Sequence, residues 1–147
     1  MARSSAYLHG TSAPEQARLA LLNRLVNRGS LAELHLARRQ TVLQIGSGLG
    51  DFARARDRRI GPGGRVLGIE RSARQLHAAR RAPKPTPAAE LEFRRGDALD
   101  LPLRDCEWGS FDLVHAPILL EHLDRPQDAV DQMVRAVRPG GRIVLED

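Results

Sequence analysis

The sequence predicts an α/β fold with a parallel sheet of about five strands, and three observations carry that reading. Short apolar runs alternate with amphipathic segments along most of the chain, the order that crossover helices impose on a parallel sheet. One run, Thr41-Val42-Leu43-Gln44-Ile45, empties into Gly46-Ser47-Gly48-Leu49-Gly50-Asp51, with glycines at alternate positions. Such a loop turns the backbone sharply and admits a ligand closer than any Cβ would permit. Finally, Glu70, Asp97 and His115 fall at the ends of later runs, on the edge where open parallel sheets bind ligands.

Taken in order, residues 1–10 carry little pattern, with Tyr7 and His9 the chemically interesting side chains. Ser12-Ala13-Pro14-Glu15 has the form of a capping box with proline in the first turn. Leu19, Leu22 and Val26 follow at helical spacing, beside Leu21 and Leu25, so a helix is expected over 12–27, closing near Gly29. Ser30-Leu31-Ala32-Glu33 repeats the capping pattern and predicts a short helix to about Arg38. After the glycine loop, 52–59 reads as helix, stopped by Gly61-Pro62-Gly63-Gly64. A second strand spans 65–69, ending at Glu70. Ser72 with Gln75 caps a helix that Pro83, Pro85 and Pro87 terminate. Further strands are expected over 91–95 and 111–115, a helix from Pro126 to about Val137, and a fifth strand over 142–146 after Pro139-Gly140-Gly141.

Composition narrows the function. The formal charge is +5, but 22 of the 23 basic residues are arginines spread along the chain, without a dense basic run interleaved with aromatics. Nucleic-acid binding is therefore not expected. The single cysteine, Cys106, forms no internal disulfide, and there is neither a long apolar run nor a leader-like start. A soluble cytoplasmic protein without a membrane partner is the expectation, and no metal-ligand pattern stands out. The glycine loop weakens one alternative and excludes another. A dinucleotide fingerprint requires glycine at position 51, where the chain has Asp51, which disfavours a hydride-transferring dehydrogenase. A phosphate-cradling loop requires a Gly-Lys-Ser/Thr ending, and the only lysine is Lys84.

The segments 42–50, Gly64 to Glu70, Gly96-Asp97-Ala98-Leu99-Asp100-Leu101-Pro102, 111–114 with Leu120-Glu121-His122-Leu123, and Arg138-Pro139-Gly140-Gly141 together resemble the class I S-adenosylmethionine-dependent methyltransferases of small-molecule type. The resemblance covers about positions 40–147. It implies a Rossmann-like three-layer sandwich, strand order 3-2-1-4-5, with N-terminal helices: a helical lid over 1–40 and a cofactor-binding domain over 41–147 that stops after the fifth strand. It implies S-adenosyl-L-methionine as cofactor and a small organic molecule as methyl acceptor.

By that resemblance Gly46, Ser47, Gly48 and Gly50 hold the methionyl part, Glu70 with Arg71 beside it meets the ribose hydroxyls, and Asp97 with Ala98 meets the adenine. His115 approaches through its backbone, and Leu76 and Leu99 flank the ring or serve as core. Gln44 stands where the family has an acidic residue, keeping an acceptor but losing a charge near the ammonium group. His122 is expected to pack or hydrogen-bond rather than catalyse, and no catalytic residue is assigned. Arg18, with Tyr7 and His9, is expected to close over the cofactor. His115-Ala116-Pro117-Ile118 differs from the Asn-Pro-Pro-Tyr type of motif of amino-methylating nucleic-acid enzymes. A chain ending after the fifth strand leaves an exposed edge, which predicts a homodimer through that edge, or else a truncated or degenerate cofactor-binding module that is inactive alone or needs a partner chain.

Overall fold

The computed structural model describes residues 12–15, 17–18, 21, 34–84, 88–117 and 119–146. Its centre is a five-stranded parallel sheet in the order β3-β2-β1-β4-β5, as the resemblance implies. The strands are β1 (Thr41–Ile45), β2 (Arg65–Glu70), β3 (Glu90–Arg95), β4 (Phe111–Pro117) and β5 (Val137–Glu146). The crossover helices are α1 (Asp51–Ile60), α2 (Ala73–Arg81) and α3 (Pro126–Ala136), with 3₁₀ turns at Asp105–Glu107 and Leu120–His122.

Alternation along each strand sends side chains to opposite faces, and the two faces bury separate cores. Val42, Val66, Leu91, Phe93 and Leu113 pack under α1 and α2 against Phe52, Ala53, Ile60, Leu76 and Ala79. Leu43, Ile45, Leu67, Ile69 and Val114 pack on the other face against Ala129, Met133 and Ala136 of α3. The helices are cut where the sequence indicates. Gly61 and Gly63, at φ 68° and 89°, turn the chain from α1 into β2, and the Ser72 hydroxyl caps α2 by accepting the Gln75 N–H at 3.3 Å.

Three expectations need correction. Residues 34–38 do not continue a helix: they form turns, with His35 at φ 47°. The Leu34 and His35 carbonyls, which a helix would give to its own next turn, instead accept Arg142 Nη2 of β5 at 2.5 and 3.4 Å. The fourth strand runs past His115 to Pro117, because Ala116 and Pro117 remain in register with Leu145 and Glu146 of β5. The fifth strand begins at Val137 rather than Arg142: Val137 pairs with Phe111, and the register then shifts, with Gly140 at φ 76°, before Arg142 pairs with Leu113.

In the N-terminal region Ala13, Pro14, Glu15, Ala17, Arg18 and Leu21 are helical, as expected, and Leu21 is 56% exposed. Tyr7, His9 and the 30–33 capping pattern lie outside the described residues. Nothing in the fold supports the homodimer along β5. Among the described residues, no helix is long and apolar enough to cross a membrane.

Candidate functional site

The glycine loop between β1 and α1 is fixed almost entirely by its backbone. Gly46, Gly48 and Gly50 have φ of 76°, 54° and 81°, a region that side chains with a Cβ rarely enter. The N–H groups of Gly46 and Ser47 both donate to the Ile69 carbonyl, at 2.8 and 3.0 Å, so the loop folds back over the end of β2. A Cβ on Gly50 would run into the Phe93 ring at 2.5 Å, whereas one on Gly48 would meet only the Gln75 Oε1 atom, at 3.4 Å, among the described residues. Gly50 is thus demanded by packing, whereas at Gly48, where a Cβ would make one ordinary contact, glycine is called for by the positive φ.

Glu70 closes the cradle from the next strand. Its carboxylate is buried, with Oε2 accepting the Gly48 N–H at 2.8 Å and Oε1 accepting the Ser72 N–H at 2.8 Å. One side chain therefore joins the tip of the loop to the start of α2. Arg71, beside it, is exposed.

Asp97 and Ala98 follow β3 on the same edge. Asp97 Oδ1 accepts the Leu99 N–H at 2.9 Å and its carbonyl accepts the Asp100 N–H at 3.1 Å, a compact turn that holds Ala98 buried. Leu99 is partly buried on the α3 face, and Leu76 belongs to the core under α1 and α2.

Gln44 and His115 occupy adjacent positions of β1 and β4, on the face beneath α1. The His115 ring is fully buried, 5.1 Å from Phe52, with Nε2 2.6 Å from Glu146 Oε2. Its side chain is thus engaged beneath α1 rather than at the strand end, a correction that follows from the longer β4. Gln44 Oε1, Ser47 Oγ and His115 Nδ1 are buried polar atoms without a hydrogen-bond partner among the described residues. His122 is exposed, 3.4 Å from Glu121, and Arg18 pairs with Glu15 at 2.7 Å.

Two clusters escaped the sequence reading. Arg56 of α1 is 0% exposed, its guanidinium 4.0 Å above the Phe52 ring, and its three nitrogens have no hydrogen-bond partner among the described residues. Burial pulls Arg56 down to about 9, with Glu146 acting in the opposite direction. The signal was its position: Arg56 lies four residues from both Phe52 and Ile60, on the apolar stripe of α1. The second cluster joins Arg65, Glu92, Arg94 and Glu107 on the α3 face of β2 and β3. Glu107 accepts from Arg65 at 2.8 Å and from Arg94 at 2.9 Å. The Arg94 hydrogen bonds hold its carboxyl down at about 2 against the desolvation of its site, with Arg65 adding to them. Here the hint was alternation, since Glu92 and Arg94 fall on the same face as Leu67 and Ile69.

Comparison with known proteins agrees with this architecture. Residues 43–145 match the methyltransferase domain family. The chain is 32% identical over 116 residues to a demethylmenaquinone methyltransferase of Lactiplantibacillus plantarum, covering 78% of this chain and 48% of that protein. It is 31% identical over 108 residues to an arsenite methyltransferase of Halobacterium salinarum, covering 74% and 27%. The crystal structure of an S-adenosylmethionine-dependent methyltransferase from Mesorhizobium loti superposes with a TM-score of 0.66 at 26% identity, covering 84% of this chain and 51% of that one. The chain thus spans about half or less of the length of these relatives. The family match and the sheet with its glycine loop agree: the chain belongs to the class I S-adenosylmethionine-dependent methyltransferases.

Proposed function

We propose that this chain binds S-adenosyl-L-methionine at the carboxyl edge of its sheet and serves methyl transfer to a small organic molecule. The observation that carries the reading is the Glu70 carboxylate lashed to the Gly48 N–H, which sets an acidic group beside the glycine loop. The site suits the cofactor's chemistry. A carboxylate oxygen has two lone pairs, so Glu70 retains acceptor capacity for ribose hydroxyls after taking one N–H on each oxygen. Gly46, Gly48 and Gly50 leave backbone in reach of the methionyl part. Gln44 Oε1 and Ser47 Oγ, buried without hydrogen-bond partners among the described residues, offer polar atoms beside it. Asp97 accepts from the adenine amino group, with the Ala98 backbone alongside. Arg71 flanks the ribose, and His115 contributes backbone, its ring being held by Glu146 and Phe52.

Bound there, the cofactor supplies an electrophilic methyl on a sulfonium, so the protein's task is alignment and exclusion of water. We assign residues 1–40 to a lid over the 41–147 domain. The small-molecule acceptor class is favoured by the relatives, whose names specify demethylmenaquinone and arsenite methylation. A lone exposed Cys106 suits a reducing, cytoplasmic setting.

The test is transfer of isotope-labelled methyl from S-adenosylmethionine to a panel of phenols, quinols, arsenite and nucleic acid. Label in a small acceptor is expected, and label in nucleic acid alone would overturn the acceptor class. A second reading, a module that binds cofactor without turning it over alone, is favoured by the neutral Gln44 beneath the loop, whose Oε1 has no hydrogen-bond partner among the described residues. Saturable cofactor binding with no transfer to any acceptor would select it.

A further inference from the structure

We propose that Arg94, gripped by Glu107, is a positioning residue that sets the 96–102 loop, and through it Asp97 and Ala98, for recognition of the cofactor's adenine. The proposal rests on the cofactor reading above and adds a residue that does not touch the cofactor.

The loop's internal bonds give it a shape but not a place. Asp97 Oδ1 to Leu99 N–H and Asp97 carbonyl to Asp100 N–H both lie within the turn, and would move with it as a unit. Its position on the sheet comes from elsewhere. Gly96 donates to the Glu70 carbonyl at 3.1 Å, and Leu101 N–H donates to Gln132 Oε1 of α3 at 3.0 Å. At the far end, Arg94 Nη1 donates to the Pro102 carbonyl at 2.7 Å. This last bond carries a full charge on the donor, which makes it the strongest of the three. It also acts where the loop closes on itself, because a Cβ on Gly96 would overlap the Pro102 ring.

Arg94 delivers that bond from a fixed place. Its guanidinium makes paired contacts to Glu107, at 2.9 and 3.2 Å, and to Glu92, at 2.9 and 3.1 Å. Glu107 is in turn held by Arg65 at 2.8 Å and by the Arg104 N–H at 2.8 Å. The rotamers of a long side chain are thereby frozen by neighbours on β2, β3 and the 3₁₀ turn. Without the clamp, the loop keeps its turn but shifts on the sheet, and a carboxylate acceptor loses strength quickly as distance and angle depart from optimum.

Adenine offers a measure of that placement. Its 6-amino group donates to Asp97, whereas hypoxanthine presents a carbonyl there that an ionised Asp97 repels. The experiment is calorimetric titration of the full chain with S-adenosylhomocysteine and with S-inosylhomocysteine, for wild type, Arg94→Met and Glu107→Gln, each checked for cooperative thermal unfolding. Wild type is expected to prefer the adenine ligand by at least about tenfold. Arg94→Met should bind that ligand about tenfold more weakly with little change for the inosine ligand, so the preference collapses. Glu107→Gln, which keeps the side chain's shape, should move it in the same direction and decides the matter if Arg94→Met does not fold. A folded variant that loses affinity equally for both ligands, or that keeps wild-type preference, overturns the clamp. A folded wild type that takes neither ligand overturns the cofactor reading itself, a result distinct from the other two.

Discussion

The two faces of the sheet each bury charge, and they treat it in opposite ways. Under α3, Glu107 sits between Arg65 and Arg94, with Glu92 completing the network and the Arg104 N–H filling a further acceptor position. Under α1, Arg56 is also buried, yet among the described residues its nitrogens have no hydrogen-bond partner and meet the face of Phe52 with only the longer-range attraction of Glu146, and Gln44 Oε1 and His115 Nδ1 lack partners among the described residues on the same face. A buried charge is tolerable when each of its polar atoms is matched, and a burden when they are not. The comparison separates a polar cluster that stabilises the fold from one that is carried at a cost, and only the first touches the loop that bears Asp97.

The comparison is most easily broken at Glu107. Glu107→Ala leaves the Arg65 and Arg94 guanidinium groups sharing Glu92 alone and should destabilise the fold by about 3 kcal/mol, at the low end for a buried pair because both arginines keep some solvent contact and that second carboxylate. Urea midpoints would record it, and a change below about 1 kcal/mol would show that the network is decorative.

The same carboxylate should dominate acid unfolding. Its folded pKa, about 2 against 4.5, means that the unfolded chain takes up the proton first as pH falls. Its contribution, on the order of 3 kcal/mol from that displacement, is complete above pH 4.5 and disappears as pH drops towards 2. Glu107→Gln should flatten this part of the stability profile, and an unchanged slope would contradict the assignment.

On the other face the sign reverses. Arg56→Met keeps length and apolar contact with Phe52 while removing an unmatched charge, and should stabilise by about 2 kcal/mol. Destabilisation by the same amount would mean that the guanidinium is matched after all. The smallest effect is expected at a site belonging to neither cluster: Ser72→Ala removes the α2 cap and should lose about 1 kcal/mol.

These differences also explain what could be read in advance. The glycine loop was legible because positive φ restricts residue type, and Glu70, Ser72 and Asp97 because their partners lie at strand ends within a few residues or one strand away. The strand order needed the family resemblance, since alternation alone gives parallel strands without their sequence in space. Arg56 was hidden by composition: in a helix also holding Arg54, Arg58 and Arg59 it looked like one more solvated arginine. Glu107 was hidden by distance along the chain, with Arg65 42 residues away. The helix expected through Arg38 failed for a similar reason, because its carbonyls are claimed by Arg142, more than a hundred positions later.

The central claim is that Glu70 and the glycine loop form a cofactor cradle, and calorimetric titration with S-adenosylhomocysteine tests it most directly. The account predicts saturable binding at one site per chain, weakened at least about tenfold in a folded Glu70→Ala variant. A folded wild-type chain that takes up no ligand, or a variant that binds as tightly as wild type, would contradict it.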